Sequence, residues 1–157
     1  MYMNARAIIE RPAQQGNEIL LQVRDKPGQA RALELPGGQV EPFESLIDTL
    51  VREVAEETGL TVVEIEHQPL RVVTDDGRTR VECVRPFAAY QTLEGPVDSV
   101  GVYFRCRAEG RLVSHGDAAD QPRWTGVAEV RRMLEVDPAA FSWVDRAGLT
   151  FYLDSVT

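Results

Sequence analysis

Cysteine and histidine are scarce in this chain, with two of each in 157 residues. Cys83 and Cys106 show no CxxC spacing and have no histidine beside them, and a His-rich zinc site is excluded. Both cysteines fall in segments that read as strands, where a buried reduced thiol is the expected state. Long apolar runs are missing too. No stretch approaches the roughly 18 residues of a membrane span. The N-terminal MYMNARAIIERP has Arg6 and Glu10 where a secretory signal would need an unbroken apolar core. Two cysteines without such a signal fit a reducing, cytoplasmic setting. Positive charge is in deficit as well. A formal net charge of −8 argues against a surface that grips nucleic acid through its phosphates.

What is present is an ordinary globular composition, 43% hydrophobic and 27% charged, in a length that fits one domain over residues 1–157. No repeat or low-complexity tract interrupts it. Residues 4–10, 18–24 and 33–35 read as strands. Residues 61–74 and 79–92 are β-rich and joined by Asp75-Asp76-Gly77-Arg78, a hairpin signal. Residues 100–109 alternate apolar with polar, as a strand with one buried face does. Helices are expected near residues 127–134 and 145–154.

The most informative segment is GQVEPFESLIDTLVREVAEETGL, from Gly38 to Leu60. Leu46, Ile47, Leu50, Val51 and Val54 fall at three- and four-residue spacings, the stripe of an amphipathic helix. Pro42 suits a first turn, and Glu44 would meet the positive end of the helix dipole there. Gly59 is placed to close the helix in a left-handed conformation. Glu53, Glu56 and Glu57 are spaced three and four apart and share one face. Like charges so placed repel, and a divalent cation would remove the penalty. On an ideal helix Glu44 points the other way, as a capping or ion-pair residue for Arg52.

A solvated acidic face is the commoner meaning of such a helix. The fixed order of the other residues overturns that reading. Gly38, Glu44, Arg52-Glu53, Val54, Glu56-Glu57, Gly59 and Leu60 stand at set intervals. The seven fixed letters alone would arise at a given start with a probability on the order of 10⁻⁹. The stretch resembles the box of the Nudix hydrolases at each defining position.

That resemblance implies an α/β/α sandwich with a mixed, largely antiparallel sheet and the box helix packed on it. It implies Mg2+- or Mn2+-dependent hydrolysis of a diphosphate linkage in a nucleoside diphosphate joined to another group. The metal ligands would be Glu53, Glu56 and Glu57, with backbone oxygen at Gly38. Arg52 would orient a carboxylate, and Glu44, Gly37 and Gly59 would support the structure. For the general base Glu53 comes first, with Asp120 and Asp117 of the downstream loop as alternatives. Arg24 and Arg105 are candidate phosphate contacts.

The proline of ADP-ribose members and the tyrosine of diadenosine polyphosphate members have no counterpart near residues 75–78. A nucleoside triphosphate or a nucleotide sugar remains as substrate. The alternative is a non-catalytic module that binds a nucleotide metabolite. Neither nucleic acid nor membrane is an expected partner, and the chain could act as a monomer or a homodimer.

Overall fold

The computed structural model describes the backbone of residues 1–113, 115–116 and 119–156, and the side chains of 1–113 and 121–156. The first strand, β1 (Tyr2–Arg11), organises the rest because its two faces enter two different cores. Ala7 and Ile9 point to one side and Ile8 to the other, all fully buried. This is the two-residue period of a strand covered on both faces.

In chain order there follow β2 (Glu18–Arg24), β3 (Ala32–Glu34), β4 (Gly37–Gln39), α1 (Leu46–Thr58) and β5 (Thr61–Ile65). Next come β6 (Val72–Asp75), β7 (Arg80–Cys83), β8 (Ala88–Gln91) and β9 (Ser99–Glu109). The chain ends with β10 (His115–Gly116), β11 (Ala119–Gly126), α2 (Val127–Val136) and α3 (Arg146–Ser155). Among the described residues nine strands form the main sheet, in the order β10-β11-β2-β1-β9-β5 with β3, β4 and β8 on its flanks. Among these strands β1 and β9 run parallel, with Ala5 opposite Val102, and the other strand pairs are antiparallel; Leu33 of β3 adds a single parallel bridge to Phe141.

Helix α1 covers one face. Ile47, Leu50 and Val54 pack there on Ala7, Ile9, Leu20 and Phe104. The other face carries α2 and α3, which bring Val130, Leu149 and Tyr152 against Ile8, Ile19, Leu21 and Tyr103. The result is the α/β/α sandwich with a mixed, mostly antiparallel sheet expected from the sequence.

Several local readings are corrected. Helix α1 begins at Leu46, not near Pro42, because Phe43 adopts a left-handed φ of 61° that a helix cannot continue through. Ser45 caps it by accepting the Asp48 N–H at 2.9 Å. Val51, placed in the apolar stripe, is not in the core and keeps 37% of its surface exposed. Residues 61–74 are broken by His67, also left-handed, and by a short 3₁₀ turn, Gln68–Leu70. Residues 79–92 divide into β7 and β8, with Pro86, which has no N–H for a ladder, between them. β9 is buried on both faces, since Tyr103 opposes α3. Cys83 lies exposed on the β6–β7 ribbon, and only Cys106 is buried.

Strand β4 was not anticipated, and it is what places the site. β2 pairs with the far end of β1, from Glu10 onward, and leaves the near end free. Gly37 and Gly38 fill that gap opposite Arg6 and Ala5. Two residues without side chains thereby extend the sheet beside β1 and face Glu53 of α1.

Candidate active site

The box residues meet at this glycine ribbon. A Cβ on Gly37 would lie 2.5 Å from the Ala5 carbonyl oxygen, and one on Gly38 would lie 2.5 Å from the Glu53 carboxylate. Both distances are far inside contact, so only glycine lets backbone and carboxylate approach this closely. The Gly37 N–H donates to Glu57 Oε1 at 2.8 Å, and Gln22 Nε2 donates to Glu57 Oε2 at 2.8 Å. Glu57 is buried, and that burial pushes its carboxyl up to about 8, against the lowering effect of the Gly37 hydrogen bond. Burial also raises Glu53, offset in part by its bond to Arg52.

Arg52 holds the outer part of the edge. Its guanidinium reaches Glu44 at 2.9 Å, Glu53 at 2.8 Å, Glu56 at 3.4 Å and the Gln39 carbonyl at 3.2 Å. The bond to Arg52 holds Glu44 below the usual carboxylate range. The ideal-helix expectation that Glu44 faces away from Glu53 is therefore corrected. Glu44 precedes the helix, and its loop folds back so that one arginine ties the two together. Gly59 closes α1 at a φ of 80°, its N–H bonded to the Ala55 carbonyl.

One arginine does not balance these carboxylates. The donors are all oxygen, which suits a hard cation such as Mg2+ or Mn2+ and not a thiophilic one. Gln22 Oε1, buried beside Glu57, has no hydrogen-bond partner among the described residues. The donor set therefore fits a divalent cation in chemistry. Its present geometry is that of a charge-paired edge: among the described residues no three acidic, His or Cys side chains converge on a metal position. Arg52 draws Glu53 and Glu56 one way, while Gly37 and Gln22 hold Glu57 another.

The ribbon also forms a wall of a cleft of about 380 Å³ lined by Asn4, Arg6, Arg24, Lys26, Gln39 and Trp143 among others. Lys26 is the only lysine in the chain. Arg24 reaches Glu34 at 3.0 Å and Gln29 at 2.9 Å at the cleft's side. Arg105 is not brought here. It forms two bonds to Glu10, at 2.9 and 3.0 Å, and lines a separate cavity with Glu66 and His67. Asp117 lies outside the described residues. Asp120 is described in backbone only, opposite Val23 of β2.

Sequence reasoning missed Gln22, Asn4, Lys26 and Trp143. Gln22 alone left a signal, a fully buried amide within the apolar run EILLQVR. The floor of the cleft rests on a buried pair that was also missed. Arg6 Nε donates to Asp145 Oδ1 at 2.7 Å, and Arg6 donates through a terminal nitrogen to the Leu35 carbonyl.

A sequence profile of the NUDIX domain matches residues 1–146. The chain belongs to the Nudix family. Solved Nudix structures agree in fold. The NUDIX domain of Shewanella oneidensis NrtR, complexed with ADP ribose, gives a TM-score of 0.69 at 17% identity, covering 100% of this chain and 89% of that one. A NUDIX hydrolase from Nitrosomonas europaea gives 0.64 at 19%, covering 98% and 89%. A MutT/nudix family protein from Enterococcus faecalis gives 0.59 at 22%, covering 78% of this chain and 42% of that one. This Nudix chain thus spans less than half the length of that last relative. No curated protein sequence matches it. Among the described residues no helix is long and apolar enough to cross a membrane.

Proposed function

We propose that the chain is a single-domain, cytoplasmic Nudix pyrophosphohydrolase acting on a nucleoside diphosphate joined to a further group, such as a nucleoside triphosphate or a nucleotide sugar. One observation carries this reading. The half-buried Glu53 and the buried Glu57 abut a glycine ribbon that also forms a wall of a cleft bearing Arg24 and Lys26.

Glu53, Glu56 and Glu57, with backbone oxygen at Gly38, would hold Mg2+ or Mn2+. Such a cation, when bound, neutralises phosphate charge and acidifies water. The chain's own groups do the rest. Arg24 and Lys26 bind phosphate oxygens and orient the bridge. Hydrolysis joins a water oxygen to one phosphorus and breaks that phosphorus's bond to the bridging oxygen, which leaves on the other phosphate. The water proton passes to a carboxylate, for which Glu53 is the proposed acceptor and Asp120 or Asp117 the alternatives. Arg52 fixes the position of Glu53 through the 2.8 Å bond.

A screen over nucleoside triphosphates, nucleotide sugars and dinucleotides, with each metal and with the products separated by ion-exchange chromatography, tests the reading. Turnover of at least one substrate, abolished by chelation, is expected. The second reading, a module that binds a nucleotide metabolite without hydrolysing it, draws on the ADP-ribose complex of the similar NUDIX domain. Binding in the absence of any turnover would decide for it.

A further inference from the structure

Gln22 is a fully buried amide in an otherwise apolar stretch of β2. Leu20, Gln22 and Arg24 alternate along that strand and share the face turned to α1. Along it the side chains change from an aliphatic core residue to an amide, and then to the guanidinium that lines the cleft.

Gln22 stands directly opposite Glu34 in the β2–β3 pair, and it meets Glu57 from α1. Both carboxylates are buried, 3% and 5% exposed. One amide nitrogen lies between them, 2.8 Å from Glu57 Oε2 and 3.4 Å from Glu34 Oε1. It carries two protons, one for each carboxylate. Two carboxylates out of water repel, and the shared donor holds them at a fixed spacing.

Glu34 carries the connection to the cleft. Its Oε2 accepts from Arg24 Nη1 at 3.0 Å, and from Arg6 in a longer contact of 3.5 Å. Arg24 Nε donates to Gln29 at 2.9 Å, so the guanidinium is fixed from two sides. The bonds run from Gly37 through Glu57, Gln22 and Glu34 to Arg24. One end lies at the acidic edge and the other in the cleft.

We propose that Gln22 and Glu34 are positioning residues that fix Glu57 of the metal edge and Arg24 of the cleft relative to each other. Metal affinity and substrate affinity then depend on the same buried amide. The inference rests on the reading that Glu57 takes a divalent cation and Arg24 a phosphate. It adds two residues that touch neither ligand and hold the groups that do.

Gln22→Met tests it, because the thioether fills the same space and donates nothing. Mg2+ titrated alone into the protein by calorimetry should bind roughly 10- to 100-fold more weakly, the scale for losing a group behind a metal ligand. Tm in EDTA should fall little, because Gly37 still donates to Glu57 and the unpartnered Gln22 oxygen is removed as well. A merely structural role would lower that Tm and leave Mg2+ affinity unchanged. On a substrate, Gln22→Met and Glu34→Gln should each raise KM roughly 10-fold, the scale of one charge-assisted hydrogen bond, with kcat at saturating Mg2+ largely kept.

In a Glu34→Gln background, Gln22→Met should cost far less Mg2+ affinity, since the repulsion that the amide manages is gone. Equal losses in the two backgrounds, or unchanged Mg2+ affinity in Gln22→Met, would overturn the proposal. Mg2+ binding without turnover on any substrate would defeat the hydrolytic reading alone, and the calorimetric comparison would still decide this one. A wild-type protein that binds neither Mg2+ nor Mn2+ would overturn it.

Discussion

Gly37 donates its backbone N–H to Glu57 at 2.8 Å, and this bond joins the first residue of β4 to the last glutamate of the box helix. The carboxylate it holds is buried, with Gln22 on its other oxygen. Two donors satisfy its geometry but do not supply a full positive charge, and a carboxylate out of water is costly without one.

A divalent cation should therefore stabilise the fold as well as activate it. Saturating Mg2+ at about 100 times its Kd contributes about 2.7 kcal/mol. For a chain of this size that raises Tm by roughly 5–10 °C. Glu57→Gln keeps the size, removes the charge and turns one of two accepting oxygens into a donor, which the Gln22 amide can meet by presenting its unpartnered Oε1. It should raise the Tm measured in EDTA and abolish most of the Mg2+ increment. Scanning calorimetry of both proteins with and without metal checks this, and equal increments in the two would remove Glu57 from the metal edge.

Glu53 is half-buried beside Gly38 and bonded to Arg52. Glu53→Gln should lower kcat at least ~10²-fold on the true substrate, the usual scale for a proton acceptor. Gly38→Ala should also lower kcat, because its methyl would displace the Glu53 carboxylate. Circular dichroism should report an unchanged fold in both. Near-normal turnover by Glu53→Gln would move the base assignment to the aspartates of the downstream segment.

The Arg6–Asp145 pair is buried at both ends. Asp145→Ala leaves a guanidinium out of water without its main partner and takes the acceptor from the Leu35 N–H. A loss of about 3–5 kcal/mol in urea unfolding is expected. Arg6→Met combined with Asp145→Leu should recover a large part of it. Additive losses in the double variant would contradict the coupling.

Burial pushes the Cys106 thiol up to about 12, whereas Cys83 is exposed on the outer ribbon. A thiol reagent at pH 8 should modify one cysteine rapidly and the second only on unfolding. The folded value lies above the ordinary one near 8.5, so the unfolded chain ionises first as pH rises. Stability is complete below about 8.5 and falls toward 12, by up to about 1.4 kcal/mol per unit. Cys106→Ala should flatten that part of the curve in unfolding titrations at pH 8 and 10.

The extent to which the sequence was legible follows from the range of each interaction. Leu46, Ile47, Leu50 and Val54 and the closing Gly59 were readable because a helix repeats every 3.6 residues and glycine alone enters its left-handed end freely. The start of α1 was not. Pro42 and Glu44 suit a first turn, but Phe43 between them is left-handed, a conformation that no local residue pattern announces. The hairpin at Asp76-Gly77 was readable from turn chemistry, with Asp76 accepting from the Arg78 and Thr79 N–H groups. The burial of Tyr103 was not, because whether a second layer covers a strand is decided by α3, some forty residues further along.

The sequence by itself determined the family, the box helix, and the acidic face formed by Glu53, Glu56 and Glu57, since spacing on one helix carries all of that. Tertiary structure decided what those acids face. The ribbon of β4 is laid against β1 by register, Gln22 and Glu34 come from a neighbouring strand pair, and Trp143 reaches the cleft from a segment ahead of α3. These residues lie tens of positions apart in the chain. Only packing of the two layers on the sheet brings them within hydrogen-bond or cavity distance.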